Sequence, residues 1–250
     1  MLSANGAQMD ARREAILDAI IREYVETAEP VGSLTLVEKY EFPLSPATIR
    51  GEMAELEREG YIMQPHTSAG RVPTEQGYKH FVKLILSEST SLTVRDEKKI
   101  REQLLGQHIR YEKLLDLAAK TLADATGSVG IVGVSGLVYS HGFSNLFSQP
   151  EFKDSENVEK AAGILDRMHE LVEDLPPLSH PLVFVGSETP LGVSSGCSLV
   201  VSGFETPYGG IGRLAVLGPT RMPYSKVISV VEEVKELLES MGEKYNFPSS

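Results

Sequence analysis

Apolar residues recur at helical spacing from early in the chain. Ile16, Ile20, Ile21, Tyr24 and Val25 share one side of an amphipathic helix over roughly Ala11 to Thr27. Glu29-Pro30-Val31-Gly32 breaks it, and Ser33 is placed to cap a second helix carrying Leu34, Leu36, Val37 and Tyr40. Pro43, in the turn Glu41 to Leu44, stops that helix from running on. A third helix then starts sharply: Ser45 can accept a backbone N–H as N-cap, and Pro46 suits the first helical position, where no donor is needed. Ile49, Met53 and Leu56 form its buried stripe and Gly60 ends it. Arg50 and Gly51 therefore point elsewhere, with Thr48 near the boundary. Tyr61-Ile62-Met63-Gln64 reads as a short strand and Arg71-Val72-Pro73 as the returning arm of a hairpin. Thr74 can cap a fourth helix bearing Tyr78, Phe81, Val82, Leu84 and Ile85.

Three helices followed by a β-hairpin predict a winged helix-turn-helix over residues 1–86. Polar side chains at a helix N-terminus after a tight turn are how such proteins read the major groove. The candidate DNA-binding residues are Ser33 and Thr35 on the second helix, Ser45, Ala47, Thr48, Arg50 and Gly51 on the third, and His66, Thr67, Ser68 and Arg71 at the hairpin. The tip, Thr67 to Arg71, is small, polar and basic, suited to a phosphate backbone or a minor groove. A lone arginine is ordinarily a solvated helix charge, but the place of Arg50 one turn after an N-cap, in a tight helix pair, favours recognition. His66 has no partner at metal-ligand spacing and reads as a turn histidine. Gly51 in mid-helix costs about 1 kcal/mol relative to Ala. That leaves two readings open, a tolerated cost or a close approach to bases.

The second half predicts an α/β domain over 100–250, which with the winged helix makes the chain α+β, after a linker over 87–99 that begins in the Ser- and Thr-rich Ser87–Thr93. A helix is expected from Ile100 to Thr126, with Ile109, Leu114, Leu115, Leu117, Ala118 and Leu122 on its apolar side. Strands are expected at Ser128–Val134, Leu182–Gly186, Cys197–Glu205 and Gly212–Leu217, with a helix near Ser155–Asp174. The closing helix, Tyr224–Tyr245, repeats Val227, Val230, Val231, Val234, Leu237, Leu238 and Met241. That broad apolar face packs on the sheet, or part of it, or the Ile100–Thr126 helix, pairs with its copy in a dimer.

Charge argues against nucleic acid and has to be weighed. The 250 residues carry a formal net charge of −11, distributed as −4 over residues 1–86 and −7 over 87–250. A basic footprint is absent in bulk. Many of the carboxylates (Glu14, Asp18, Glu38, Glu55, Glu57, Glu59) fall on helix faces that can turn away from DNA. Tight binding is then expected only at a matched site. The single Cys197 excludes an intrachain disulfide and argues against structural zinc. Met1 to Asp10 lacks the pattern of a signal peptide, and no stretch approaches the roughly 18 to 20 apolar residues of a membrane span, so a cytoplasmic protein is expected.

Catalysis has little to stand on. Thr126 to Gly136 repeats glycine every third residue but fails the spacing of a dinucleotide fingerprint and lacks a P-loop lysine. Its apolar residues predict a strand packed tightly against its neighbours. Ser194-Ser195-Gly196-Cys197 has no histidine in a recognisable partner motif, and the six histidines show no metal spacing. No enzyme, metal or cofactor is expected.

Several blocks together carry a resemblance. Tyr24 to Leu36, Ser45-Pro46-Ala47-Thr48-Ile49-Arg50, Met53 to Glu57, Gln64 to Thr74, Gly142 to Phe152 and Gly209 to Met222 resemble the HrcA family of heat-inducible transcription repressors. The resemblance implies a dimer on an inverted-repeat operator upstream of chaperone operons, kept active by a GroEL-type chaperonin. It also implies a GAF-like second domain, here trimmed. Two accounts of that domain stay open: it dimerises and docks on the chaperonin, or it senses a small molecule in a GAF-like pocket. Two departures stand out. Gly51-Glu52 replaces the Asn-Asp usual in the family, and only Ser128 to His141 fills the interval where relatives carry further strands and an inserted dimerisation domain.

Overall fold

The computed structural model describes residues 9–66, 69–88, 91–105, 110–153, 180–189 and 196–242, with isolated positions between 163 and 178. The helix expected near Ser155–Asp174 lies almost wholly outside the described residues, as do Thr67, Ser68 and Ile109. The chain divides into two compact units, Met1–Leu84 and Ile85–Ser250.

In the first unit, α1 (Ala11–Thr27) buries Ile16, Leu17, Ile20 and Ile21 and starts at an Asp10 N-cap. α2 (Ser33–Tyr40) follows, then α3 (Pro46–Arg58), whose buried residues are Ile49, Met53 and Leu56. β1 (Ile62–Met63) and β2 (Val72–Pro73) pair antiparallel, Ile62 opposite Pro73. α4 (Glu75–Ser87) begins where Thr74 Oγ1 accepts the Gly77 N–H at 3.2 Å. Ser33, expected to cap α2, does not do so. Gly32 holds the N-cap position with no side-chain bond, and Ser33 is the first helical residue.

The second unit is a five-stranded sheet with helices, in the order β4-β3-β7-β6-β5. Its strands are β3 (Val129–Val134), β4 (Leu137–His141), β5 (Leu182–Val185), β6 (Cys197–Glu205) and β7 (Ile211–Pro219). Among the described residues every pairing in this sheet is antiparallel, so the domain is α+β rather than the expected α/β. The cause is the connections: β3–β4 and β6–β7 are hairpins, which leave no room for a crossover helix. β4 was not expected from the sequence. The turn before it puts Ser135 at φ 49 and Gly136 at φ 80, the two positive values a type I′ hairpin needs.

Helices α5 (Val94–Leu105) and α6 (Tyr111–Thr126) replace the single helix expected from Ile100. Arg110 is extended at ψ 149, so α6 starts afresh after it. α5 begins inside the stretch expected as linker because Thr93 caps it, its Oγ1 accepting the Asp96 N–H at 3.1 Å. The closing helix α8 (Tyr224–Gly242) packs on β6, β7, α5 and α6, and its apolar stripe from Val227 to Met241 is buried.

The other face of the sheet is closed by α7 (Phe143–Phe147) and the 3-10 turn Pro150–Phe152. Leu146 and Phe152 join Val129, Ile131, Leu199, Val201 and Leu217 in one core. Strand β3 bears out the tight packing read from its glycines. A Cβ on Gly130 would stand 2.2 Å from the Ala119 carbonyl oxygen, so α6 lies directly on the strand. On the opposite face, a Cβ on Gly133 would overlap Val172 at 2.1 Å.

Candidate nucleic-acid interface

The surface that carries the sequence-derived residues is made of the start of α2, the exposed side of α3 and the β1–β2 hairpin. Ser45 Oγ accepts the Thr48 N–H at 3.1 Å, with Pro46 in the first turn, so α3 begins at a defined residue. Because Ile49, Met53 and Leu56 face the core, Ala47, Thr48, Arg50 and Gly51 are left exposed. Arg50 has no ion-pair or hydrogen-bond partner among the described residues. A Cβ placed on Gly51 would meet nothing within 4 Å, so the fold itself does not require glycine there.

The hairpin is held against α2 and α3 by a small set of bonds. Val31 and Arg71 exchange both backbone hydrogen bonds at 2.9 Å, which joins the segment before α2 to the hairpin. A Cβ on Gly70 would lie 2.4 Å from the Val31 carbonyl oxygen, so only glycine permits that approach. Gln64 Nε2 donates to the Ala69 carbonyl at 3.0 Å across the hairpin. Between these elements runs a groove of about 380 Å³ lined by Ser33, Arg50, Met53, Gln64, Gly70 and Arg71. Thr35 is half-buried on α2, and His66 is exposed on the hairpin.

Arg71 was expected at a phosphate backbone, but its guanidinium is engaged within the unit. Nε and Nη2 donate to Glu57 Oε2 at 3.0 and 2.9 Å. Glu57 was missed as a functional residue. Its position beside Leu56 and four residues after Met53 sets it on the edge of the buried stripe, and that spacing was the available signal.

The acidic residues of this unit are largely spoken for. Glu52 accepts from Arg12 at 3.3 Å and from Arg13 at 3.2 Å, and Arg13 also reaches Glu59 at 2.6 Å. Glu55 pairs with Arg58, whose guanidinium holds the carboxyl below its ordinary value. Lys39 bridges Glu23 and Glu26, both at 2.8 Å, and the two carboxylates raise the ammonium's pKa. Glu52, the second residue of the Gly51-Glu52 pair, therefore faces α1 rather than the exposed side of α3.

Among the described residues, the second unit offers no comparable site. Burial pushes the Cys197 thiol up to about 12, with Glu151 adding to the shift, which leaves it a neutral core group. Ser194 and Ser195 lie outside the described residues. Among the described residues no group of three or more His, Cys, Asp or Glu stands together, and no helix is long and apolar enough to cross a membrane. Arg221 joins two distant segments: Nε and Nη2 bind Glu151, and Nη2 donates to Gln149 at 2.7 Å. The segments so joined are Gly142–Phe152 and Gly209–Met222.

A family model described as the HrcA protein C-terminal domain matches residues 72–228, more than half of the chain. The chain belongs to the HrcA family. It is 29% identical to the heat-inducible transcription repressor HrcA of Pelotomaculum thermopropionicum, over 95% of this chain and 98% of that one. The HrcA of Carboxydothermus hydrogenoformans is 28% identical, over 96% and 100% respectively. The alignment with the first relative runs to 351 positions, over a hundred more than this chain has residues. A hypothetical protein crystallised at 2.2 Å resolution has the same fold, with a TM-score of 0.79 at 19% identity, covering 95% of this chain and 99% of that one. In the interval where HrcA proteins are expected to carry further strands and an insert, β3 and β4 are joined here by Ser135 and Gly136 alone.

Proposed function

We propose that this chain is a sequence-specific DNA-binding repressor of heat-shock operons, acting as a dimer on an inverted-repeat operator. The first unit is read as a winged helix-turn-helix with α3 as the recognition helix. Ser45, Ala47, Thr48, Arg50 and Gly51 face the major groove. Ser33 and Thr35 flank it from α2, and His66, Thr67, Ser68 and Arg71 belong to the wing. The observation that carries the reading is the exposed, unpaired Arg50 one turn into α3, beside a hairpin tied to the start of α2. An arginine so presented can bind a guanine edge with two hydrogen bonds.

The second unit is read as a trimmed GAF-like domain that dimerises and regulates. A two-fold dimer matches an inverted repeat. Repressor activity that depends on a GroEL-type chaperonin is carried over from the family, and so are a cytoplasmic setting and action without catalysis. The sensor alternative would have to use the cleft of about 250 Å³ lined by Phe204, Glu205, Ile211, Lys235 and Glu239, since elsewhere among the described residues α6, α8 and the Leu146–Phe152 core cover the sheet.

Selection of bound DNA from a random library tests the reading. An inverted repeat is the expected result, with a dimer sedimenting on it. No enrichment, or a monomer both free and on a full repeat, overturns it.

A further inference from the structure

Hairpin β1–β2 has two residues in each strand, too few to hold its place alone. Its base is anchored by the buried Ile62 and by Thr74 Oγ1, which donates to the Gly60 carbonyl at 2.6 Å. Its outer part is held in two places: the Val31–Arg71 backbone exchange ties it to the segment before α2, and one side chain ties it to α3. Glu57 Oε1 accepts the Gln64 backbone N–H at 3.0 Å, while Oε2 accepts Arg71 Nε at 3.0 Å and Nη2 at 2.9 Å. Gln64 directly follows β1 and Arg71 directly precedes β2. A single carboxylate on the last turn of α3 thus grips both feet of the wing.

We propose that Glu57 is a positioning residue that sets the wing's distance from the recognition helix, and so sets operator specificity rather than gross affinity. This rests on the repressor reading above. Three features support it. Both carboxylate oxygens are used, and by different strands' ends. Two donors of the Arg71 guanidinium converge on the one oxygen Oε2, and bonds between charged partners are stronger than neutral ones. The side chains are 34% and 20% exposed, so solvent shields the pair only in part. The same pairing cancels the charge of Arg71, so the wing is stationed without adding to sequence-independent attraction for phosphate.

Four full-length proteins test this: wild type, Glu57→Gln, Arg71→Met and Arg71→Lys. Without DNA, amide exchange over residues 62–73 is expected to speed at least tenfold in Glu57→Gln and Arg71→Met, and less in Arg71→Lys, with α1 unchanged. Unchanged exchange overturns the clamp. With DNA, Glu57→Gln should tighten binding to a scrambled sequence and Arg71→Met should weaken it, since the two remove opposite charges. Both should nevertheless lower the ratio of operator to scrambled affinity at least fivefold. Affinities for the two DNAs that move together and leave the ratio intact reduce the pair to a surface-charge effect and overturn the proposal. If wild type selects no operator at all, the repressor reading falls and takes the specificity role with it, while the exchange measurement still decides the clamp.

Discussion

Replacing Gly51 with Ala separates what the helix prefers from what the operator requires. Gly51 lies inside the 13-residue α3, exposed, and an added Cβ meets no atom within 4 Å. With no clash to offset it, the helix-propensity gain of roughly 0.8–1 kcal/mol should be realised almost in full. Part of that gain comes from the smaller entropy of the unfolded chain. For a unit the size of Met1–Leu84, such a gain raises the melting temperature by roughly 4–8 °C. The operator should respond in the opposite sense. If α3 lies in the major groove with its middle against the bases, a methyl group there displaces the helix and costs at least about tenfold in affinity, or about 1.4 kcal/mol. Calorimetry of the full chain gives the first number, and fluorescence anisotropy with operator and scrambled duplexes at fixed salt gives the second. A variant that is more stable and binds the operator as tightly as wild type puts Gly51 away from DNA and refutes the close-approach reading. A variant that is less stable refutes the open surroundings from which the gain was worked.

Arg50→Ala should cost about 1–3 kcal/mol at the operator and little on scrambled DNA; equal losses on both demote Arg50 to a phosphate contact. Gly130→Ala should destabilise the second unit by roughly 1–3 kcal/mol or more, because the methyl must displace α6 from β3; a neutral thermal scan contradicts the close packing. Arg221→Met should cost about 1–3 kcal/mol by leaving Glu151 and Gln149 without their shared donor, read as a lower melting temperature of the second unit with operator affinity per folded molecule unchanged. Cys197 carries a pH prediction. Its folded pKa is raised to about 12, so its contribution to stability is full below the unfolded value near pH 8.5 and is lost as pH climbs toward 12. Wild type should therefore lose more stability than Cys197→Ala between about pH 9 and 11, and parallel losses would remove the thiol as the cause.

Much of the first unit was legible because its signals are local. Helix α1 spans Ala11–Thr27 as its periodicity indicates, and the Ser45 cap, Pro46 and the Ile49–Met53–Leu56 stripe fall where short-range stereochemistry puts them. The relations among elements were not legible in the same way. The Val31–Arg71 exchange joins residues forty positions apart, and Glu57 reaches Gln64 and Arg71 across a chain reversal. Periodicity carries no information about such partners. In the second unit β6 was found whole, since an unbroken buried run from Cys197 onward ends only at the exposed Glu205. Strand β4 was missed because its five residues are half exposed at a sheet edge and show little hydrophobic contrast. Only the Ser135-Gly136 pair announced it.

The acidic character that argued against DNA binding looks different once the partners are known. On α3, Glu52, Glu55, Glu57 and Glu59 are all paired, with Arg12, Arg13, Arg58 and Arg71 as their cations. The charge left unpaired on the exposed side of the helix is Arg50, near the positive end of the helix dipole. Such a surface gathers few phosphates, and each phosphate contact forgone removes affinity for all sequences alike. What is left to hold the protein on DNA is base contact and shape, which only the matched site supplies. Discrimination depends on the ratio of specific to non-specific binding rather than on affinity alone. In the proposed complex, a net charge of −11 would thus lower the background against which a few contacts from α3 and the hairpin are read. The expected signature is a shallow salt dependence on scrambled DNA, and a steep one would mean that cations outside this surface carry the binding.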